Sequence, residues 1–577
     1  MPSSIPASAN AAAASGDSEW AGREGLYHEG PTVPAGRRWR ESDWIEIPHE
    51  HFIPVSKARL VRALESLPVA RDSAGAVPTL LRQLDTAYHL TFQRTLNVLK
   101  EDYEYFAPDV GESIRHGVPE SELLERQRRF LATFLETMVR GNFAPLTEPE
   151  YTRAVAQSYL FDLPVEIQWS LLDERMLRDL YAWLDDAPQA AARDRLGLSA
   201  PSARSLGLPE TFRERVLVFH RGIEPDRTTG WFGLATLDIV LSRLLGLVFL
   251  PVRVLATLLN RQHDASADVP TDADAAGGRS RGTVFERRWL RRVNLQNQSL
   301  LRGLFDVSHL QEPALQRVIC LFRLRPEPPP GWFARLPLVR RFVSAAKSRR
   351  TADDVDRTLH VKMFKHIPLA DLEMIFPDTR IGMKPFDRAM LVVTAIGGCW
   401  AAWRAFQSTH RSAAIVVLGV LAAYMVKLVL GYLRARNNYA AQMTRDLYHK
   451  NLDNNVGVLQ YLIDTLQEQE FKESALVYCT LLQEGGALTA VELDGRVEKF
   501  LEREFPGVQV DFEVDDAIRK VLESDDNGKQ GASIPLVRSR RADDGVVRYE
   551  ALSVAEAQGI VRERQRAWLD GDERAAS

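Results

Sequence analysis

Two apolar runs between Ala389 and Leu433 constrain this chain more than any other feature. Ala389–Phe406 and Ser412–Leu433 contain few charged residues and are separated only by Gln407–Arg411. At a rise of about 1.5 Å per residue, each run forms a helix of about 27–33 Å, which matches the hydrocarbon core of a bilayer. The short connection makes the two helices antiparallel. The sequence therefore predicts a transmembrane hairpin with both ends on one side of a membrane.

Residues near the ends of the two runs suit a membrane interface. Trp400 and Trp403 lie near the connecting loop and Tyr432 lies at the opposite end, where amphipathic rings are enriched. Arg404 and Lys427 are close enough to the helix ends to extend their charged groups outward. The alternative is a buried helical hairpin of a large soluble protein. The apolar length favours the membrane.

Charge and cysteine content predict the compartment. Basic residues flank the hairpin at Arg388, Arg434 and Arg436, so both termini are expected in the cytoplasm. The three cysteines are widely separated and odd in number, which suits a reducing compartment rather than a disulfide framework or a zinc site. The beginning of the chain resembles neither a secretory signal nor a mitochondrial presequence. A bacterial plasma (inner) membrane is favoured, and a mitochondrial membrane if the protein is eukaryotic.

The predicted fold class is an α+β membrane protein that is mainly helical. It has a small β-sheet module, a two-helix transmembrane hairpin and a C-terminal winged-helix-like domain. Helical periodicity occurs in Val77–Pro108 and Pro119–Arg140, whereas Leu315–Arg325 and Thr358–Ile367 alternate like strands. The predicted segments are a disordered N-terminus (1–40), a helical domain (41–210), a β-containing module (211–388) with an amphipathic helix (234–259) and a disordered insertion (261–282), the hairpin (389–406 and 412–433), a long helical segment (434–488), the winged-helix-like domain (489–570) and a tail (571–577).

The most distinctive stretch, Ile367–Asp387, directly precedes the hairpin. It contains the pattern Ile-Pro-x-Ala-Asp-x-Glu-x-x-x-Pro, formed by Ile367, Pro368, Ala370, Asp371, Glu373 and Pro377. This pattern resembles a signature of the transmembrane protein 143 family, also described as domain of unknown function 3754. Leu447–Leu482 resembles a second signature of that family. The resemblance implies a membrane protein with two adjacent spans and no established activity.

Candidate catalytic residues lie in and beside this signature. His366, Asp371 and Glu373 would form a metal or acid–base site if the fold gathered them. On a helix, however, Asp371 and Glu373 point in different directions and form no carboxylate pair. The alternative is that the carboxylates hold the segment against basic residues. His49 and His51 lack further identifiable metal ligands, so no metal or cofactor is predicted.

The C-terminal region has the element order of a winged helix. Thr489 with Glu492 and Ser553 with Glu556 form the pattern of helix capping boxes, and a hairpin turns at Asp544–Gly545. The hairpin carries four arginines: Arg538, Arg540, Arg541 and Arg548. The helix that would enter a nucleic-acid groove begins among carboxylates instead: Asp511, Glu513, Asp515 and Asp516. Phosphates would be repelled there, which favours protein docking over nucleic-acid binding.

These observations predict a membrane-anchored, non-enzymatic scaffold or adaptor with cytoplasmic domains. Its expected partners are the lipid bilayer and a protein bound by the C-terminal domain. The net charge of −4 gives no general attraction to nucleic acid. The alternatives are an enzyme at the membrane interface that uses Ile367–Thr379, and a membrane-tethered DNA-binding protein. Glu468 and Lys472 form a helical i,i+4 pair that is expected on a solvated face.

Overall fold

The structure is a computed structural model of the whole chain. It describes residues 44–48, 51–109, 112–115, 117–155, 165–185, 208–210, 212–230, 287–291, 308–325, 357–377, 379–381, 397, 400, 403–404, 411–506, 508, 510–522, 534–541 and 545–569. The predicted disordered N-terminus, the amphipathic helix 234–259 and the insertion 261–282 lie outside these residues.

Within the described residues, helices and strands alternate in an α+β order. The helices are α1 (Lys57–Glu65), α2 (Pro68–Asp72), α3 (Ala76–Glu104), α4 (Glu112–Arg115), α5 (Glu120–Arg140), α6 (Glu148–Val155), α7 (Arg175–Asp185), α8 (Arg411–Lys450), α9 (Val456–Glu484), α10 (Ala490–Glu504), α11 (Val514–Val521) and α12 (Val554–Leu569). The strands are β1 (Trp44–Pro48), β2 (Ala144–Pro145), β3 (Val165–Ile167), β4 (Val216–Gly230), β5 (Arg287–Arg291), β6 (Ser308–Arg323), β7 (Leu359–Pro368), β8 (Thr379–Ile381), β9 (Asn451–Asn454), β10 (Val537–Arg541) and β11 (Val547–Ala551).

The chain forms two compact units. One comprises residues 1–49 and 225–313, and the other comprises 50–224 and 314–577. In the first unit, β1 pairs antiparallel with β5, and Trp44 lies opposite Arg291. The second unit contains most of the described elements and all of the predicted site residues discussed below.

Helix α9 is the centre of the second unit. Helices α3, α5, α10 and α11 all pack against it, and α12 packs on the outer side of α3. Every residue from Gln469 to Cys479 is buried, so this part of α9 is enclosed on all faces. Burial of each large apolar side chain, such as Leu476 or Phe471, contributes about 2 kcal/mol to folding. The C-terminal elements therefore share one core with the N-terminal helices.

A five-stranded sheet lies in the same unit, with strand order β2-β4-β6-β7-β9. Strands β6 and β7 are antiparallel, with Val318 opposite Phe364 and Cys320 opposite Lys362. Val318 and Phe364 are both buried. The Tyr103 hydroxyl donates a 2.9 Å hydrogen bond to the Leu359 carbonyl, which fixes the end of α3 to β7. Two further pairs, β3 with β8 and β10 with β11, complete the strand pairing.

The local sequence signals predicted many of these elements. Helices α3 and α5 coincide with the predicted helices at Val77–Pro108 and Pro119–Arg140. The predicted strands at Leu315–Arg325 and Thr358–Ile367 correspond to β6 and β7. Both capping boxes also form: the Glu492 amide donates to Thr489 Oγ1, and the Glu556 amide donates to Ser553 Oγ. Capping boxes and helical periodicity depend on residues within one or two turns of each other, so the local sequence is sufficient to predict them.

The membrane prediction is contradicted. Among the residues that the structure describes, no helix is both long and apolar enough to span a bilayer. The first run, 389–406, lies outside the described residues except at four positions. The second run is the first half of α8, which continues without interruption through Arg434 to Lys450. The second run and the beginning of the predicted long helical segment (434–488) thus form one continuous helix, as expected, but that helix does not meet the length and apolarity of a span.

The same finding corrects the predicted fold class as a membrane protein and the predicted inner-membrane localisation with cytoplasmic termini. Most of the residues assigned to a membrane interface lie within the described part of the structure. Trp400 and Trp403 are exposed, and the Arg404 guanidinium lies 5.2 Å from the Trp400 ring centre. Lys427 is exposed on α8, and the side chain of Tyr432 lies outside the described part of the structure.

Candidate functional site

The exposed arginines of the C-terminal hairpin form the candidate site. Strand β10 pairs antiparallel with β11, and this register places Arg540 directly opposite Arg548. Arg540 is exposed and Arg548 is half-buried. Side chains directly opposite each other in an antiparallel pair are about 4.5–5.5 Å apart at Cβ, and like charges there destabilise the pairing. An anionic group bound beside this pair would remove the repulsion.

The other two arginines of the hairpin are held by contacts within the hairpin region. Arg538 lies opposite Glu550 in the register, and its Nη2 is 3.6 Å from Glu556 Oε1. Arg541 Nε donates a 3.4 Å hydrogen bond to the carbonyl of Gly545, which has a φ of +79° in the turn. The four predicted arginines therefore lie on one hairpin, and Arg540 lies opposite Arg548 across it.

The N-terminus of α10 lies close to this hairpin. The backbone amide and the hydroxyl of Thr489 each donate a 2.9 Å hydrogen bond to Glu492 Oε2. These bonds, and then the positive charges of Arg548 and Arg496, hold the pKa of the Glu492 carboxyl below its ordinary value. Because both arginines act on one carboxylate, Arg548 of the hairpin and Arg496 of α10 lie in the same neighbourhood.

Helix α11, which the sequence analysis expected to be the groove-entering helix of a winged helix, is packed into the core. Ala517, Ile518 and Val521 are buried, and α11 packs against α9. Its exposed entrance carries Glu513 and Asp515. The exposed residues at the start of this helix are therefore acidic, whereas a helix that binds a nucleic-acid groove carries basic residues.

The predicted histidine region contacts this acidic entrance. His51 Nδ1 lies 3.4 Å from Glu513 Oε1 and 3.7 Å from Asp511 Oδ2. His49 lies outside the described residues. In the described ranges, no group of three or more histidine, cysteine, aspartate or glutamate side chains is arranged to hold a metal ion. The contacts of His51 instead connect the segment before α1 to the C-terminal region.

The structure places the signature residues at the end of β7. Ile367 is fully buried at the end of the strand, and Pro368 precedes a 3₁₀ helix, Leu369–Ile375, in which Asp371 departs from helical geometry. Asp371 is buried, and the pKa of Glu373 is raised by burial first and by the negative charge of Asp371 second. The negative charge of Asp371 therefore acts on Glu373 in this segment.

His366 does not join this pair. It has a φ of +48°, and its side chain is 56% exposed and contacts Glu224 through Nδ1. The remaining signature residues are structural: Ala370 is buried and Pro377 follows the 3₁₀ helix. The structure thus brings Asp371 near Glu373 and directs His366 toward a different carboxylate.

Sequence reasoning missed a buried charged cluster on α9. It assigned Glu468 and Lys472 to a solvated face, and their Nζ–Oε1 distance is 2.9 Å, but Lys472 is only 4% exposed. Lys472 Nζ also donates a 3.1 Å hydrogen bond to the carbonyl of Ile53. The available signal was the run of apolar residues that follows Lys472 in the sequence, because a helix segment that is apolar on every face is expected in a core.

Five further residues of the cluster join α9 to α5 and α11. Arg140 of α5 binds Glu470, whereas Lys520 of α11 contacts Glu473 and lies 2.5 Å from Asp516 Oδ2. Burial raises the pKa of Glu473, while the positive charge of Lys520 opposes that rise. These ion pairs hold α5, α9 and α11 together around one buried charge network.

Comparison with known protein families supports the central part of the resemblance. Residues 316–457 match the family model described as "Protein of unknown function (DUF3754)". The match begins within β6, includes the signature at the end of β7 and ends at the start of α9. No solved structure matches the chain.

Proposed function

We propose that the chain is a non-enzymatic scaffold or adaptor whose C-terminal hairpin docks an acidic segment of a protein partner. The supporting observation is the pair Arg540 and Arg548, which face each other across β10 and β11. A partner carboxylate would exchange like-charge repulsion for charge-assisted hydrogen bonds, which arginine forms in a bidentate geometry. Such contacts provide specificity and a fast association rate.

A protein partner accounts for the surroundings of the hairpin better than a nucleic acid does. A duplex would extend beyond the hairpin and bring phosphates toward Glu513 and Asp515 at the start of α11. The apolar face of α11 is buried against α9, so that helix is not available to enter a groove. An acidic peptide is narrow enough to contact the hairpin alone.

We also propose that the chain is related to the transmembrane protein 143 family. The pattern at Ile367–Pro377 and the segment Leu447–Leu482 both support placing the chain with the transmembrane protein 143 family. That placement adds no activity, so it is consistent with a docking role and does not by itself define one.

The proposal is tested by fluorescence anisotropy with the full-length protein. The probe is a fluorescein-labelled peptide of alternating glutamate and serine, about twelve residues long, which spans about 40 Å when extended. The wild-type protein should bind it in a salt-dependent way. The double variant Arg540→Glu/Arg548→Glu should lose at least tenfold in affinity, because it replaces attraction by repulsion.

Matched controls separate this effect from general charge. Arg562→Glu changes one exposed arginine on α12, which packs against α3, and should leave binding unchanged. A lysine–serine peptide of equal length should not bind. The proposal fails if the wild-type protein ignores the glutamate peptide, or if the hairpin variant binds it as tightly as the wild type does.

A further inference from the structure

A cleft with an apolar floor and a basic rim lies beside α10. It has a volume of about 270 Å³ and lies between α10, the last turn of α9 and the residue that precedes α2. Leu67 and Phe500 are buried side chains that contribute its apolar surface. Gln483 of α9 lines the same cleft and accepts a 3.2 Å hydrogen bond from the backbone amide of Val69.

Three cations on α10 surround the cleft. Arg496, Lys499 and Arg503 are exposed and follow one another at helical spacings of three and four residues, so they share a face. Arg503 also places its guanidinium 5.8 Å from the Phe500 ring centre. The cationic face and the apolar floor are therefore parts of one surface.

Carboxylates beside the rim neutralise part of its charge. Arg496 Nη1 lies 3.5 Å from Glu484 Oε1, and Arg503 Nε lies 3.0 Å from Glu504 Oε1. Lys499 makes no hydrogen bond or ion pair with any other residue in the described ranges, and it stands between the two arginines in the sequence. Among the described residues, Lys499 is therefore the rim cation that is open to an anionic group.

The hairpin and this cleft are connected through α10. Leu488, which precedes α10, and Tyr549 of β11 exchange backbone hydrogen bonds of 3.0 and 2.7 Å, so the hairpin lies beside the start of α10. From Arg496 to Arg503 the helix rises about 10 Å. The exposed cations of α10 therefore extend from the hairpin end of the helix along the side of the cleft.

We infer that the acidic segment docked by the hairpin also carries an apolar side chain, which enters the cleft between Leu67 and Phe500. This inference rests on the proposed docking function and specifies the chemical class of its partner, an acidic segment with an aliphatic anchor. The carboxylates contact the hairpin and the α10 rim, and the anchor loses its contact with water in the cleft. Recognition of this kind combines a buried apolar anchor with a charged rim.

Two peptides distinguish the anchor from the charges. The first is the glutamate–serine peptide described above, and the second has two of its serines replaced by leucine. Leucine burial should increase affinity for the wild-type protein by roughly tenfold. Gln483→Trp changes an exposed residue and fills the cleft, so it should remove the advantage of the leucine peptide while retaining binding of the glutamate–serine peptide.

The outcomes for the two proposals are separable. Equal affinity of the two peptides for the wild-type protein would overturn the anchor and leave hairpin docking intact. A leucine advantage that persists in Gln483→Trp would also overturn it, because the leucine would then bind elsewhere. Loss of the leucine advantage in Gln483→Trp, with unchanged circular dichroism and unchanged binding of the glutamate–serine peptide, supports the cleft as the anchor site.

Discussion

Arg140 Nη2 lies 2.8 Å from Glu470 Oε1, and this ion pair joins α5 to the centre of α9 across 330 residues of sequence. Glu470 is completely buried, whereas the Arg140 side chain is 31% exposed. Lys520 Nζ of α11 lies 4.0 Å from the same carboxylate oxygen. One buried carboxylate is thus shared between the N-terminal helices and the region that carries the candidate docking surface.

Substitution of Arg140 should therefore lower the free energy of unfolding. Arg140→Met leaves the Glu470 carboxylate buried without its main partner, and we expect a loss of about 3–5 kcal/mol in the free energy of unfolding. The double variant Arg140→Met/Glu470→Met should recover most of that loss, because it also removes the carboxylate that the single variant leaves without Arg140. Urea denaturation at neutral pH measures both values. Equal destabilisation of the single and double variants would show that packing, rather than the ion pair, is responsible.

Asp494 on α10 should make stability depend on pH near neutrality. Burial, followed by the charges of Glu498, Asp511 and Asp515, raises the pKa of this carboxyl from 3.8 to about 7. The folded protein therefore holds this proton more tightly than the unfolded chain, and its stability falls as pH rises from about 4 to about 7.

Asp494→Asn should remove that dependence. We expect a higher melting temperature than wild type at pH 8 and little difference below pH 4, where the wild-type carboxyl is protonated in both states. Asp464→Asn, at an exposed carboxylate of α9, is the control. A melting temperature for Asp494→Asn that is unchanged at pH 8 would contradict the prediction.

The Glu150 carboxylate should stabilise the fold at neutral pH and lose this contribution at acid pH, which is the reverse of the pH dependence expected for Asp494. Burial acts to raise its pKa, but His220 and the hydrogen bonds from Thr147 outweigh it and lower the pKa from 4.5 to about 2. The resulting stabilisation is present above about pH 4.5 and is lost as pH falls toward 2. Glu150→Gln should cost about 3 kcal/mol at pH 7 and little at pH 2, as measured by denaturation across this range. A cost that is independent of pH would refute the assignment.

Gly222 in β4 should not tolerate a side chain. Its φ is +76°, and a Cβ atom there would meet the side-chain amide of Gln316 on β6. Gly222→Ala should therefore destabilise the sheet by about 1–2 kcal/mol. Gly486→Ala, where an added Cβ has no neighbour within 4 Å, is the matched control in thermal denaturation. Similar melting temperatures for both variants would argue against the close approach of β4 and β6.

The sequence predicted those parts of the fold that depend on local signals. The Thr489 capping box, the Gly545 turn and the period of α3 each follow from residues within one or two turns of each other. The four hairpin arginines of the candidate site were also predicted individually. Their face-to-face arrangement, with Arg540 opposite Arg548, required the strand register, which sequence spacing alone does not define.

Long-range packing accounts for what the sequence did not predict. The burial of Lys472 depends on Ile53, more than 400 positions earlier, so a helical wheel of α9 assigned it to solvent. The segment from Leu369 to Ile375 is a 3₁₀ helix in which Asp371 departs from helical geometry, and this departure was not predicted from the local sequence. The apolar run at Ser412–Leu433 predicted a bilayer span, whereas no helix among the described residues is long and apolar enough for one, and the run forms the first half of α8.

The most direct test of the docking account is a competition on the wild-type protein. The labelled glutamate–serine peptide is bound first, and an unlabelled peptide or duplex DNA of equal total charge is then added at physiological salt. If the hairpin docks an acidic protein segment, unlabelled peptide displaces the probe and DNA does so only at much higher concentration. Displacement by DNA at lower concentration than by peptide would contradict the account and assign the arginine pair to nucleic acid.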